Sequence, residues 1–196
     1  MPANASPADQ LAALRSVCGV LAPVRAFVEV AGPDAEAFLQ NLLTQDLAGI
    51  ADGESRRALL LTPKAKVLAD VRVTRLSHEH LLLDVEPMAV AELVKQLTRY
   101  RLGSKATIEA TEHWSLVSLI GPGALAIELP GRRIESSLGD LPRADTIVAT
   151  SDLAASLDAA VRAGAVPVEE GAVEALRVEA GEVRLGHDVD ERWMPA

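Results

Sequence analysis

Two carboxylates in unusual positions are the residues of this sequence best suited to chemistry. Asp70 interrupts the apolar, strand-like run K-V-L-A-D-V-R-V. Glu179 lies on the last turn of a predicted helix, beside its apolar stripe, where the negative end of the helix dipole disfavours an acid. Each carboxylate therefore predicts either an ion-pair partner or a ligand that offers N–H groups, and Arg177 is the neighbouring candidate partner of Glu179.

The cations around Asp70 belong to a basic segment within an acidic chain. The 196-residue chain has a formal net charge of −9, yet residues 56–105 hold ten cations and five acids. The rest is acidic, most densely over residues 169–191. A basic run of this kind forms either a solvated face or a site for a small polyanion with carboxylate or phosphate groups. Four of its cations flank Asp70, namely Lys64, Lys66, Arg72 and Arg75.

Other residues with chemical potential are better explained structurally, and we expect no metal site. His78 and His80 lie at a polar turn with no third ligand indicated, and His187 with its neighbouring acids lacks the ligand spacing of a known cage. The G-P-G at residues 121–123 lacks the remaining residues of a nucleotide-binding loop and predicts a turn. Cys18 is interpreted as a small core residue on the apolar side of the first helix.

Composition excludes several classes of protein. Hydrophobic residues make up 49% of the chain and charged residues 24%, which is typical of a folded protein of one large or two small packed units. Aromatic residues make up 3%, which together with the negative charge argues against nucleic-acid binding. The single cysteine excludes an internal disulfide framework. Without a secretory signal or an apolar run of roughly 18 residues, we expect a cytoplasmic protein with no membrane partner.

Periodicity and turn residues predict alternating strands and helices, which is an α+β pattern. Ser6 and Pro7 predict the cap and first turn of the first helix. The predicted order is helix 7–19, strand 24–30, helix 35–47, strands 54–62 and 66–76, strand 80–86, helix 87–102, strand 105–109, strand 114–121, short helix 122–129, strand 145–150, helix 151–165, helix 169–181 and an irregular tail.

Two parts of the sequence resemble the YgfZ/GcvT-like tetrahydrofolate-binding family. The segment G-P-D-A-E-A-F-L-Q followed by P-K-A-K-V-L-A-D is similar to that family's G-P-D-A-x-x-F-L-Q segment and P-K-G-R-V-L-A-D hairpin. The segment E-A-L-R-V-E-A-G followed by G-H-D-V-D-E is similar to its late E-x-L-R-x-E-x-G and G-x-D-I-D-E signature. The aminomethyltransferase T-protein of glycine cleavage belongs to the same superfamily, and the resemblance covers most of the chain.

The resemblance implies a role for each carboxylate. Asp70 matches the acid that interacts with the folate near its reacting N5 atom, so it is the candidate catalytic residue and a candidate cofactor-binding residue. Glu179 matches the glutamate that hydrogen-bonds the pterin ring, so it is the second candidate cofactor-binding residue. The implied cofactor is tetrahydrofolate, with or without a polyglutamate tail, whose carboxylates would suit the basic segment.

The resemblance also implies the architecture. We expect a GcvT-like α+β fold in which a ferredoxin-like central module, residues 51–110, is inserted in a discontinuous outer domain formed by residues 1–50 and 111–196. Ala65 stands where the family pattern has glycine, and because alanine resists positive φ, the hairpin turn is expected to be reshaped. The family's K-G-C-Y-x-G-Q-E signature and C-terminal β-barrel are expected to be absent.

Three functions remain open, and so does the question of whether the chain is an enzyme. The P-K-A-K-V-L-A-D segment favours a YgfZ-like tetrahydrofolate-binding protein that assists iron-sulfur cluster assembly or repair, with iron-sulfur proteins as partners. The alternative is a folate-dependent aminomethyltransferase, or related one-carbon transferase, of the T-protein kind, in which Asp70 assists proton transfer at N5. The third is a non-catalytic subunit that contacts a partner chain.

Overall fold

The computed structural model of the chain describes residues 6–190, which fold into two units. The first unit consists of the residues up to Pro23 together with His113–Val183, and the second consists of Val24–Glu112 together with the residues from Arg184 onward. In that part of the chain, no helix combines the length and apolarity needed to cross a membrane.

The helices and strands alternate along both units, as expected for an α+β fold. In chain order they are α1 (Pro7–Ser16), β1 (Gly19–Leu21), β2 (Ala26–Ala31), α2 (Ala35–Gln40), β3 (Ser55–Leu61), β4 (Val67–Ser77), β5 (His80–Val85), α3 (Val90–Tyr100), β6 (Thr107–Thr111), β7 (Trp114–Ile120), β8 (Arg132–Leu138), β9 (Leu141–Ala149), α4 (Leu153–Arg162), β10 (Val166–Pro167) and α5 (Glu170–Glu179).

The first unit is built on a five-stranded sheet with the order β10-β1-β7-β9-β8. Strands β1 and β10 are parallel, and the other neighbours are antiparallel. Helix α1 begins at the predicted cap, because the Ser6 hydroxyl accepts a hydrogen bond from the Asp9 N–H at 3.2 Å. The hydroxyl and backbone N–H of Ser6 in turn donate to the Asp9 carboxylate, which holds the pKa of Asp9 below its usual value.

The second unit is built on an antiparallel sheet with the order β3-β4-β5-β2-β6. The sequence of β2, α2, β4, β5, α3 and β6 is the β-α-β-β-α-β order of a ferredoxin-like fold, with β3 added beside β4. Strand β4 alternates as predicted, so Ala69, Val71 and Val73 are buried in the core that also contains Leu39 of α2 and Leu93 of α3.

The two units have different bounds from the predicted domains. Residues 24–50 are expected in the outer domain, whereas in the structure they belong to the second unit. Strand β2 lies inside that unit's sheet, where it pairs with β5 on one side and β6 on the other. The register of a strand with distant partners cannot be derived from its own periodicity, which is why the central unit begins earlier than predicted.

Several elements also differ from the predicted ones. The helix predicted over 35–47 ends at Gln40, because the chain turns so that Leu43 pairs with Leu60 beside β3. The helix predicted over 122–129 is only a short turn at Ala124–Ala126. Strand β8 was not predicted, because it is an edge strand whose burial does not alternate.

The G-P-D motif at the start of α2 is explained by a close backbone approach. A Cβ atom at Gly32, where φ is +129°, would lie 2.2 Å from the carbonyl oxygen of Lys105. The Asp34 carboxylate then accepts a hydrogen bond of 2.7 Å from the Lys105 N–H. The motif therefore joins the β2–α2 turn to the segment before β6.

The hairpin turn between β3 and β4 takes up strain at Ala65. This residue has a φ of +58°, a left-handed conformation that alanine resists. The sequence predicted that alanine would avoid this conformation and reshape the turn, but Ala65 adopts it. Thr62 holds the turn closed, because its N–H donates to the Lys66 carbonyl at 2.8 Å and its hydroxyl accepts from the Lys66 N–H at 3.0 Å.

Replacing Ala65 by glycine should stabilise the protein. Glycine adopts positive φ without the steric cost, so we expect Ala65→Gly to raise the free energy of unfolding by about 0.5–1 kcal/mol in urea titrations. The exposed turn residue Ala48, which has no positive φ, is the matched control, and Ala48→Gly should be neutral or destabilising. Equal effects of the two substitutions would contradict strain at Ala65.

Candidate functional site

One face of the second unit's sheet carries several charged side chains. Residues paired across neighbouring strands lie on the same face, and the pairs here are Leu59 with Asp70, Arg57 with Arg72, and Arg72 with Asp84. Their alternating neighbours on β4, such as Ala69 and Val71, face the apolar core. We call the side that bears Arg57, Asp70, Arg72 and Asp84 the charged face.

Asp70 is fixed on the charged face but remains accessible. Its side chain is 29% exposed, and its Oδ2 accepts a hydrogen bond of 2.8 Å from Nη2 of Arg57. Within the described residues no group donates to its Oδ1. The carboxylate can therefore accept a hydrogen bond or a proton from a bound molecule while Arg57 holds its other oxygen.

Glu179 lies in the first unit, in a more exposed setting. It is the last residue of α5, and its carboxylate accepts a hydrogen bond from the Arg15 guanidinium on α1. The two side chains are 58% and 54% exposed. The predicted neighbour Arg177 bonds instead to Glu174, so the expected Arg177 partner for Glu179 was wrong. The two predicted site residues belong to different units.

A buried ionic cluster lies next to Asp70 and was not predicted from the sequence. The Asp84 side chain is 1% exposed and accepts hydrogen bonds from two guanidinium groups, Nε of Arg25 at 2.6 Å and Nη2 of Arg72. Arg72 follows Asp70 by two residues on β4, so it lies on the same face. The carboxylate of Asp84 thus joins β4 and β5 to the start of β2.

The same cluster holds the chain that follows Val183. The Glu86 carboxylate accepts a hydrogen bond from Nη1 of Arg25 and two from Arg184, at 3.1 and 3.0 Å from its Nε and Nη2. A bidentate arginine–carboxylate pair of this kind fixes both distance and orientation. The late signature segment is therefore joined at Arg184 to the end of β5.

A sequence signal for this cluster does exist. Asp84 interrupts the apolar run H-L-L-L-D-V-E, just as Asp70 interrupts its own strand. An acid within an apolar strand costs free energy unless it is paired, so both positions predict an arginine nearby. Only Asp84 turns out to be fully buried.

The basic segment does not form a single surface. Arg72 lies on the charged face, whereas Arg75 is 5% exposed and bonds to Glu36 and to the Leu47 carbonyl on the other side. Lys95 pairs with Glu92 on α3. Much of the positive charge is therefore used in internal ion pairs rather than in one polyanion site.

The remaining candidate residues have structural roles. Cys18 follows α1 rather than lying within it, and it is 1% exposed, with burial raising the pKa of its thiol. His80 lies 3.3 Å from the Glu29 carboxylate. Across residues 6–190, no three His, Cys, Asp or Glu residues are grouped as metal ligands would be. Glu191, one of the acids near His187, lies outside the described residues.

The arrangement defines a class of α+β protein in which a ferredoxin-like unit with a charged sheet face is inserted between two parts of a second sheet unit. Residues 6–129, more than half of the chain, match the family model described as the GCVT N-terminal domain. The chain belongs to this family, which confirms the predicted GcvT-like resemblance.

Relatives and a solved structure agree with this assignment. The chain is 27% identical over 195 residues to an aminomethyltransferase of Chloroherpeton thalassium, and 27% identical over 190 residues to one of Thermus thermophilus. Each match covers 85% of this chain and 54% of the relative, so the chain spans about half the length of these curated relatives. The glycine cleavage system aminomethyltransferase T from Bartonella henselae has the same fold, with a TM-score of 0.82 at 23% identity, over 96% of this chain and 58% of that chain.

The two acids of the charged face should differ sharply in their contribution to stability. Removing Asp84 takes away the buried carboxylate to which Arg25 and Arg72 both donate, so we expect Asp84→Ala to lower the free energy of unfolding by about 3–5 kcal/mol. Asp70→Ala removes an exposed pair and should cost no more than about 1 kcal/mol. Urea titrations measure both.

Asp84→Asn extends the comparison in case Asp84→Ala is too unstable to purify. The amide oxygen still accepts one hydrogen bond but carries no charge, so this variant should fall between the other two. A loss at Asp84 no larger than that at Asp70 would contradict the structural role of the cluster.

Proposed function

We propose that this chain is a tetrahydrofolate-binding domain that takes part in aminomethyl or one-carbon transfer, with Asp70 as the residue that contacts the ligand near its reacting atoms. The observation that carries the proposal is the match to aminomethyltransferases over 85% of the chain. The family match over residues 6–129 includes Asp70.

The setting of Asp70 suits this role. A ligand amine near a carboxylate gains a hydrogen bond and, during reaction, a group that can accept or return a proton. Arg57 holds one oxygen of Asp70 and so limits the rotation of the carboxylate, while the other oxygen can meet the ligand. Strand β4 gives it a rigid base, because its alternate residues are anchored in the apolar core.

Glu179 is proposed as the second folate-binding residue, through hydrogen bonds from the 2-amino-pterin edge to its carboxylate. A carboxylate accepts two parallel N–H bonds from such an edge as it does from a guanidinium. Glu179 is at present paired with the Arg15 guanidinium. Because this pair is exposed, breaking it to bind a ligand costs little free energy.

The aminomethyltransferase hypothesis is better supported than the iron-sulfur hypothesis. The named relatives reported above are aminomethyltransferases. The segment that favoured a YgfZ-like protein, P-K-A-K-V-L-A-D, forms the strained turn and the first part of β4 and contains no cysteine. A role in iron-sulfur cluster assembly therefore has only that sequence resemblance behind it.

Titration calorimetry with tetrahydrofolate tests the binding proposal. Wild type should give a saturable heat, and Asp70→Asn and Glu179→Gln should each weaken the affinity by about tenfold or more, since each loses charge-assisted hydrogen bonds. The exposed acid Asp158 on α4 is the control, and Asp158→Asn should bind as wild type does. A wild type without saturable heat would exclude the proposal.

Two further variants separate the carboxylates from their ion pairs. Arg57→Gln and Arg15→Gln remove the same pairs but keep Asp70 and Glu179. We expect smaller losses than for the acids themselves, because the ligand-binding group is retained. If Arg15→Gln weakened binding as much as Glu179→Gln, the role of Glu179 would be structural.

A transfer assay distinguishes an enzyme from a binding protein. If the chain is an aminomethyltransferase, then with an aminomethyl donor and tetrahydrofolate we expect folate-dependent release of formaldehyde or formation of methylenetetrahydrofolate. Asp70→Asn should slow the reaction about 10²-fold or more, as expected for loss of a positioned acid–base group. Folate binding with no turnover at stoichiometric protein would favour a binding role, and co-purification of a partner without folate binding would favour a non-catalytic subunit.

A further inference from the structure

An open groove lies at the end of α3, in the second unit and apart from the charged face. Its volume is about 400 Å³, and it is lined by Thr98 and residues 101–107, which connect α3 to β6. This volume falls within the roughly 300–1,000 Å³ typical of ligand clefts. The groove is not used by the folate-binding proposal.

The groove lies in a basic stretch of an acidic protein. Residues 95–105 contain four cations and no acid, against a net charge of −9 for the chain. Within residues 6–190, the Arg101 guanidinium makes a single long hydrogen bond, of 3.4 Å, to the Ala106 carbonyl. Among the described residues, no carboxylate pairs with the side chain of Lys105, although its backbone N–H bonds to Asp34.

Apolar side chains project beside these cations. Leu102 is 93% exposed, and Tyr100, the last residue of α3, is 45% exposed. The Arg99 guanidinium lies 5.9 Å from the centre of the Tyr100 ring, which keeps positive charge and apolar surface together. Exposed apolar surface and positive charge therefore lie side by side at this end of α3.

We infer that this groove binds an acidic polypeptide segment that carries an apolar side chain. Arginine and lysine at positions 101 and 105 would pair with its carboxylates, and Leu102 and Tyr100 would cover its apolar residue. The net charge of −9 disfavours an anionic membrane, and a nucleic acid would find little aromatic surface for stacking. A short acidic polypeptide segment can bind by contacts with the groove residues alone.

Fluorescence anisotropy with a labelled peptide of alternating glutamate and leucine tests the inference. The wild-type protein should bind this peptide saturably. It should bind more weakly to a peptide in which glutamine replaces glutamate, or serine replaces leucine. The double variant Arg101→Glu/Lys105→Glu should abolish binding, and Leu102→Ser should weaken it about tenfold, as expected for one buried leucine. Arg162, an exposed arginine in the last turn of α4, provides the control, so Arg162→Glu should leave binding unchanged.

Parallel measurements identify a different occupant. Phosphatidylserine vesicles, polyuridine and self-association in sedimentation should each be unaffected by these substitutions. The inference is overturned if any of the three depends on the groove residues, if the glutamine peptide binds as tightly as the glutamate peptide, or if Arg162→Glu is as harmful as the double variant. Tetrahydrofolate calorimetry on the double variant should match wild type, so failure of the groove and failure of folate binding are separate results.

Discussion

A buried carboxylate between two arginines is the interaction on which the second unit depends. Asp84 bonds to Arg25 and Arg72, and so ties β5 to β4 and to the start of β2. A shift of one residue in β4 or β5 would turn a charged side chain into the apolar core and break its bond within the cluster. The cluster therefore favours one register of the sheet, and the position of Asp70 follows from that register.

The charged face combines two kinds of ion pair with different purposes. The inner pairs around Asp84 are shielded from water and leave little freedom to move, whereas the Arg57–Asp70 pair at the outer side remains open. A reactive group is best placed where its support is rigid and its own bonds are easily rearranged. Asp70 meets both conditions. It lies on the same strand as the anchored Arg72, but its side chain is more exposed than that of Arg72.

Local sequence signals predicted the parts of the structure that depend on local physics. The Ser6 cap, the strand at β4 and the helix at α3 follow from hydrogen-bonding capacity and side-chain period. The α+β class and the family were also predicted correctly, from motifs rather than periodicity. Asp70 and Glu179 could be singled out because an acid in an apolar run or at a helix C-terminus needs an explanation.

The features that the sequence did not reveal depend on contacts between distant residues. The sheet position of β2 and the end of α2 are decided by pairing with β5, β6 and Leu60. Arg15 is chosen as the partner of Glu179 because α1 and α5 pack together, a fact absent from either helix alone. Edge strand β8 has no apolar period to predict it.

The insertion of one unit within the other also constrains how the chain folds. Strand β1 gains its antiparallel partner only when β7 has been made, since Val20 pairs with Leu119, and the intervening Val24–Glu112 belong to the second unit. Closing so long a loop is entropically unfavourable for a disordered chain, but much less so if the intervening segment has already collapsed. During synthesis, the sheet that carries Asp70 can form before β7 and α5, the partners of β1 and α1, have been made. The inserted unit would then serve as the nucleus around which the two ends of the first unit meet.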